Sequence, residues 1–279
     1  MDSVTCFEEV DTSRPGRLQH IERSAAGSGP HLADRPLLLE TSGLERHFGG
    51  LNAVDGVDFA LREGEVRAII GPNGAGKTTF VSLLCGRLTP SAGSIQFRGE
   101  DVTRLPAYRR VGRGIAYTFQ ITNVFGNLSV FDNVMLAAQS CMRRRGGFFA
   151  RIDRAELECR VTAALSAVGL DSRAALKTGE LAYGHQRLLE VAMGLALEPS
   201  LLILDEPTQG LSDSEIDEFC TLIKRIAANA TILLIEHNMH VVMQLASRIT
   251  VMNRGKILAE GDPEEIRCNP EVQAAYLAA

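Results

Sequence analysis

No stretch of this chain approaches the ~18–20 consecutive apolar residues that a membrane-spanning helix requires. Nor does one sign of charge dominate. The 29 basic and 34 acidic residues leave a net charge of -5, which gives no overall attraction to nucleic acid or anionic lipid. The six cysteines (Cys6, Cys85, Cys141, Cys159, Cys220, Cys268) are scattered without a C-x-x-C pair. They read as reduced, mostly buried small hydrophobes of a cytosolic protein, with Cys85 and Cys220 in helices. Internal repeats and long heptads are lacking. Residues 1–35 are polar, are broken by Pro15, Gly16, Gly27, Gly29 and Pro30, and have no apolar secretory run. They are expected to be a mostly disordered tail. What remains, residues 36–279, is long enough for a full α/β core with a smaller subdomain.

The stretch Gly71-Pro72-Asn73-Gly74-Ala75-Gly76-Lys77-Thr78 has the form of a phosphate-binding loop. The apolar run Val66-Arg67-Ala68-Ile69-Ile70 leads into it as a buried strand, and Thr79 to Leu84 leave it with helical spacing. Glycines let successive backbone N–H groups curl around an anion, and the helix start at Lys77 adds its positive dipole end. Lys77 can bridge β- and γ-phosphates, and the Thr78 hydroxyl suits Mg²⁺.

Segment 37–40 reads as a strand that 44–48 continues up to the Gly49-Gly50 turn. Two short strands, 53–54 and 57–61, follow, then a hairpin turn at Glu63-Gly64. Further strands are expected at 94–97 and 114–117. Residues 124–198 change character and read as a helical insertion, with helices at 130–139, 154–168 and 186–197. Within it, Arg143-Arg144-Arg145-Gly146-Gly147-Phe148-Phe149 reads as a solvated loop. Leu201–Leu204 and Thr231–Ile235 are continuous apolar runs of the kind found in central parallel strands, separated by helix 213–228 in a βαβ unit. A late hairpin (249–252 and 257–259, turning at Arg254-Gly255) and two short helices finish the chain.

Asp205-Glu206 ends the buried strand 201–204, where carboxylates face the ligand crevice of an open α/β sheet. Asp205 can hold Mg²⁺ through water, and Glu206 can polarise the water that attacks a γ-phosphate. Gln120 follows strand 114–118, where a neutral amide can touch both the metal and the attacking water. His237 ends strand 231–235 and can donate to the γ-phosphate and orient Glu206. With His240 it makes a pair but no third ligand, so zinc is not expected. Gly184, in Leu181-Ala182-Tyr183-Gly184-His185-Gln186-Arg187, stands before a helix whose free N–H groups suit a second anion, read as one held by a partner subunit.

Taken in order, these segments resemble the ATP-binding-cassette family of ATPases over about residues 37–279. Phe48 matches the aromatic that stacks on adenine, Gly71–Thr78 with Thr79 the Walker A segment, and Gln120 the Q-loop. Leu181-Ala182-Tyr183-Gly184-His185 matches the signature motif, Leu201–Glu206 Walker B, Gly210-Leu211-Ser212-Asp213 the D-loop, and His237 the switch histidine. The resemblance implies an α/β P-loop NTPase core with a parallel sheet, an antiparallel N-terminal β subdomain and the helical subdomain. It also implies a dimer with two ATP molecules, each held by Walker A of one chain and the signature of the other, together with Mg²⁺.

His47-Phe48-Gly49-Gly50, Tyr117-Thr118-Phe119-Gln120, Leu181–Gly184 with Leu188-Leu189-Glu190, and the ending Gly261–Leu277 resemble the branched-chain amino acid importer ATPases, whose group includes urea and amide importers. The lipopolysaccharide-export ATPase is a near relative and the alternative, with a non-transport cassette ATPase behind it. An importer implies transmembrane permease subunits, a second ATPase subunit (a copy or a sibling), an external solute-binding protein, and a peripheral place on the cytoplasmic face of the membrane. Ala182, Tyr183, His185 and Ser212 depart from the general cassette pattern. Ala182 removes a hydroxyl contact to the γ-phosphate.

Overall fold

Strands β3 (Val66–Ile70), β7 (Leu201–Asp205) and β8 (Thr231–Ile235) are buried at every position. A strand with no solvated face packs in the middle of a parallel sheet covered by helices. The computed structural model describes residues 34–118, 124–146 and 153–277, and Arg35 onward belongs to one compact unit. Residues 1–33 of the expected N-terminal tail lie outside the described residues, as do Phe119, Gln120, Phe148 and Phe149, whereas Arg35, expected in the tail, donates to the Gly64 carbonyl (3.0 Å).

The central sheet adds β6 (Ile115–Thr118), β9 (Arg248–Asn253) and β10 (Lys256–Gly261), in the order β10-β9-β3-β8-β7-β6. All its neighbours run parallel except the β9–β10 hairpin. The hairpin was expected, but β9 also docks in parallel against β3, with Ile70 opposite Val251. Ile69 and Asp205 both pair with Ile235. The C-terminal ends of β3, β8 and β7 are therefore flush at one edge.

Arg67 is the one charged residue within β3, and it is only 3% exposed. It donates to Glu65 (2.5 Å), Glu260 (2.7 Å), the Thr250 hydroxyl (2.8 Å) and the Ala60 carbonyl (3.1 Å). These partners come from the approach to β3 itself, from β9 and β10, and from Ala60 in strand 51–62 of a second sheet, so the buried charge is satisfied by a network rather than by solvent.

The second sheet is antiparallel, in the order β2-β1-β4-β5. Here β1 (Leu37–Phe48) and β2 (Leu51–Arg62) are each continuous, and β4 (Ala92–Phe97) and β5 (Glu100–Asp101) complete the sheet. The continuity of β1 was expected; the break expected near 55–56 is instead a register shift within one strand. The register shifts between Thr41 and Leu44, where Thr41 donates to the Val57 carbonyl (2.9 Å) and the Gly43 N–H donates to Asp58 (2.6 Å). A bulge absorbs polar residues without ending the ladder.

Helices α3 (Val130–Gly146), α4 (Arg154–Val168) and α5 (Tyr183–Leu195) pack together around Val134, Val161, Leu165 and Leu189. The α3 helix runs past Gln139. Arg143–Arg145 extend it instead of forming a loop, as good helix formers can. The α5 helix starts at Tyr183, three residues before Gln186, with the Gln186 N–H donating to the Ala182 carbonyl (3.1 Å). Helix α6 (Asp213–Ala227) crosses from β7 to β8. Two short helices escaped the periodicity reading, α2 (Ala107–Arg113) and α7 (Met239–Leu245), the latter capped by Asn238. At the C-terminus, Asp262-Pro263-Glu264-Glu265 forms a capping box that opens α8 (Pro263–Cys268), followed by α9 (Pro270–Leu277). Among the described residues no helix is long and apolar enough to cross a membrane. Cys85 is buried but terminates α1 (Lys77–Leu84) as its C-cap instead of lying within it, whereas Cys220 lies in α6.

The end of α1 depends on a distant residue. Arg110 of α2 is 1% exposed, and its guanidinium donates to the carbonyls of Leu83 (2.7 Å), Leu84 (2.8 Å), Leu105 (2.9 Å) and Thr103 (3.0 Å). Burial pushes its pKa down to about 10, so it is charged at neutral pH. A cation at a helix C-terminus answers both the orphan carbonyls and the dipole. Arg110→Ala strands these acceptors and should lower the unfolding free energy by at least ~3 kcal/mol in urea denaturation. Arg110→Lys should recover only part of it, because an ammonium lacks the planar fork. A loss below ~1 kcal/mol would contradict this reading.

Candidate active site

The loop between β3 and α1 is shaped by its glycines. At Gly71 φ is +147°, and a Cβ would lie 2.1 Å from the Met252 carbonyl oxygen; at Gly76 φ is +98°, with the Ala53 carbonyl oxygen 2.2 Å away. No other residue type fits either position. Pro72, Asn73 and Gly74 form the outer turn, and the Gly255 N–H donates to the Ala75 carbonyl (3.0 Å), tying the loop to the β9–β10 turn. No side chain caps α1. Its first N–H groups and dipole end therefore suit an anion. The Lys77 ammonium donates to the carbonyls of Gly71 (2.6 Å) and Pro72 (3.0 Å). Burial lowers its pKa, and Glu206 and Asp205 pull it back up. Thr78 is exposed and Thr79 half-buried in the first turn of α1.

Asp205, 2% exposed, ends β7. One of its oxygens, Oδ2, accepts from the Tyr117 hydroxyl (2.7 Å). Burial pushes its carboxyl pKa up, the Tyr117 hydrogen bond opposes that, and Glu206 raises it further. Tyr117, whose own pKa burial raises, comes from β6, and the Arg87 guanidinium lies 5.5 Å from its ring. Sequence reasoning placed neither Tyr117 nor Arg87 here. Only the assembled sheet brings Tyr117 here: β6 pairs with β7 so that Tyr117 lies opposite Ile203, two residues before Asp205.

Glu206 sits in the left-handed region (φ +47°), its N–H donating to the Ile235 carbonyl (2.9 Å). For a residue with a Cβ this conformation is strained, and such strain gathers at functional sites. His237, 63% exposed at its side chain, places Nδ1 3.9 Å from Glu206 Oε1. The sheet edge thus brings Lys77, Asp205, Glu206 and His237 together.

The segment Leu181–His185 is braced elsewhere. Tyr183 and Gly184 lie in the first turn of α5. The Tyr183 hydroxyl accepts from Arg187 Nε (3.1 Å) and Nη2 (2.8 Å), and Arg187 pairs with Glu190 (2.9 Å), both buried. Cβ atoms added at Gly210 and Gly184 would lie 2.9 Å from the Tyr183 ring and 2.3 Å from Glu215. The start of α5 therefore packs on the loop and helix that follow β7. There Ser212 caps α6, donating its N–H (2.8 Å) and hydroxyl (2.7 Å) to Glu215. Phe48 ends β1, 44% exposed, with the Arg46 guanidinium 4.6 Å from its ring centroid. Gln120 lies outside the described residues.

Thr78 and Asp205 offer hard oxygen donors, the type Mg²⁺ prefers. The crowding of Asp205 against Glu206, with burial, raises the pKa of the Asp205 carboxyl, a strain that a divalent cation would relieve. The donor set fits Mg²⁺.

The sign of the Asp205 effect is testable. A carboxyl whose folded pKa lies above its unfolded value destabilises the fold above that pKa, and the penalty vanishes below the unfolded one. Metal-free Asp205→Asn protein should melt at a higher temperature than wild type at neutral pH. The gain should shrink as pH falls towards 3.8. A lower melting temperature at pH 7 would overturn this.

Residues 54–209 match the family described as ABC transporter, and residues 256–277 match the branched-chain amino acid ATP-binding cassette transporter segment. The chain is 41% identical to BraF of Pseudomonas aeruginosa, a high-affinity branched-chain amino acid transport ATP-binding protein, over 87% of this chain and 98% of that one. It is 40% identical to LivG of Escherichia coli K12, which carries the same description, over 86% and 97%. Among solved structures it is similar to the ABC transporter cassette MJ1267 in its ADP conformation. The TM-score is 0.78 and the identity 26%, over 88% of this chain and 100% of that one.

Proposed function

This chain belongs to the ATP-binding-cassette transporter family, and we propose that it is the ATP-hydrolysing subunit of an importer for branched-chain amino acids or related amides such as urea. The observation that carries the chemistry is the single sheet edge where Lys77, Asp205, Glu206 and His237 meet. The match of the C-terminal segment 256–277, which is β10, α8 and α9, supports the importer group. No helix among the described residues can span a bilayer, so translocation belongs to transmembrane permease partners, with this subunit peripheral on their cytoplasmic face. A solute-binding protein outside the membrane would select the cargo.

The phosphates of ATP lie along the N–H groups of Gly71–Thr78, with Thr79 in the same turn, and Phe48 stacks on adenine. Lys77 turns its ammonium from the loop carbonyls to the β- and γ-phosphates. Thr78, Asp205 and Gln120 would hold Mg²⁺, which would supply charge neutralisation on the phosphates. Glu206 accepts a proton from the attacking water, and His237 donates to the γ-phosphate. A second subunit closes the site with its Leu181–His185 segment. ATP binding draws two subunits together and hydrolysis releases them, and α3 to α5 pass the motion to the permease.

General-base catalysis contributes about 10²–10⁴-fold, so Glu206→Gln should lose at least about 100-fold in turnover while still binding ATP and accumulating a closed dimer. Size-exclusion chromatography with ATP and a phosphate-release assay read both. Wild-type turnover in that variant would refute the role of Glu206.

A further inference from the structure

Glu236 directly follows β8, beside His237, yet its carboxylate is turned inward and the residue is 1% exposed. Burying an acceptor-only group is costly unless donors surround it. Four do. Oε1 accepts from the Thr208 N–H (3.0 Å) and, in a short bond, from the Thr208 hydroxyl. Oε2 accepts from the N–H groups of His237 (3.0 Å) and Asn238 (3.2 Å).

These donors belong to two loops. Thr208 lies two residues past Glu206, in the turn leading to Gly210 and α6, while His237 and Asn238 begin the loop that caps α7. One buried side chain thus ties the backbone after Glu206 to the backbone of His237. A second tie runs from the Glu206 N–H to the Ile235 carbonyl (2.9 Å). Glu206 and His237 stand 3.9 Å apart, on backbone held from both sides by this brace.

We propose that Glu236 is a positioning residue for hydrolysis: its carboxylate fixes the Thr208 and His237 loops against each other and so sets the spacing between Glu206 and His237. The inference rests on the roles given above to those two residues. It requires two loops that can drift apart when the brace is cut, while the apolar strands beneath keep the fold.

The test uses the full-length chain. Glu236→Gln keeps the shape but turns an NH₂ group towards two N–H donors or towards Thr208. Thr208→Val removes only the hydroxyl, and Thr208→Ser restores it. Because small misplacements of reacting groups cost on the order of 100-fold, kcat should fall about tenfold or more in Glu236→Gln. A smaller fall is expected in Thr208→Val, with KM for ATP within about twofold in both. Thr208→Ser should stay near wild type, and the Glu236→Gln/Thr208→Val double variant should be no slower than Glu236→Gln alone. The inference is overturned if Glu236→Gln turns over within about twofold of wild type, if KM rises in step with any loss of kcat, or if Thr208→Ser is as slow as Thr208→Val. Should Glu236→Gln not fold, the Thr208 pair decides. Glu206→Gln serves as the control. If it is active, the base assignment fails; if it is inactive while Glu236→Gln is normal, the brace fails.

Discussion

The arrangement depends on the register of three buried strands. Ile235 of β8 pairs with Ile69 of β3 on one side and with Asp205 of β7 on the other. Within two residues of those positions each strand gives way to a loop at the same edge: Gly71 after β3, Glu206 after β7, Glu236 and His237 after β8. A slip of one residue would turn every side chain of a strand to the opposite face. Both faces are packed, by Leu202 and Leu234 towards the helical layer and by Ile203 and Leu233 towards the antiparallel sheet and α1. Apolar burial thus fixes where the charges stand.

That edge works against its own stability. It places two carboxylates side by side, partly buries a lysine near them, and holds Glu206 at positive φ. Sites tuned for chemistry commonly carry such costs. The stabilising polar contacts lie behind it, where Arg67 links β3 to its neighbours and Arg110 closes the end of α1. Both are buried and multiply hydrogen-bonded, and both flank the element that carries the phosphate loop.

Local chemistry made part of this visible in the sequence. The glycine spacing of 71–78, the apolar runs 201–204 and 231–235, and the carboxylates and histidine that follow them are written in short consecutive stretches. Such stretches specify strand, turn and helix without help from the rest of the chain. Arg110, Tyr117 and Glu236 were not legible in that way, because each has a partner 26, 88 or 28 residues away, at Leu84, Asp205 and Thr208 respectively, that only the assembled fold supplies. The docking of β9 beside β3 was hidden for the same reason. The register shift in β2 disguised one long strand as two short ones, since polar residues interrupt the alternation where the ladder continues. Helices α2 and α7 are seven residues each, too short for apolar spacing to emerge. The three arginines at the end of α3 read as solvated because charge marks exposure more reliably than it marks the end of a helix.

The central claim is that main-chain amides and Lys77 at this sheet edge hold the phosphates of a magnesium-loaded adenine nucleotide. Calorimetric titration of purified full-length protein with Mg²⁺ and ATP tests it most directly. The account predicts saturable binding of one nucleotide per chain, abolished or strongly weakened in Lys77→Ala. Absence of binding to the folded wild-type protein, or unaltered binding in Lys77→Ala, would contradict it.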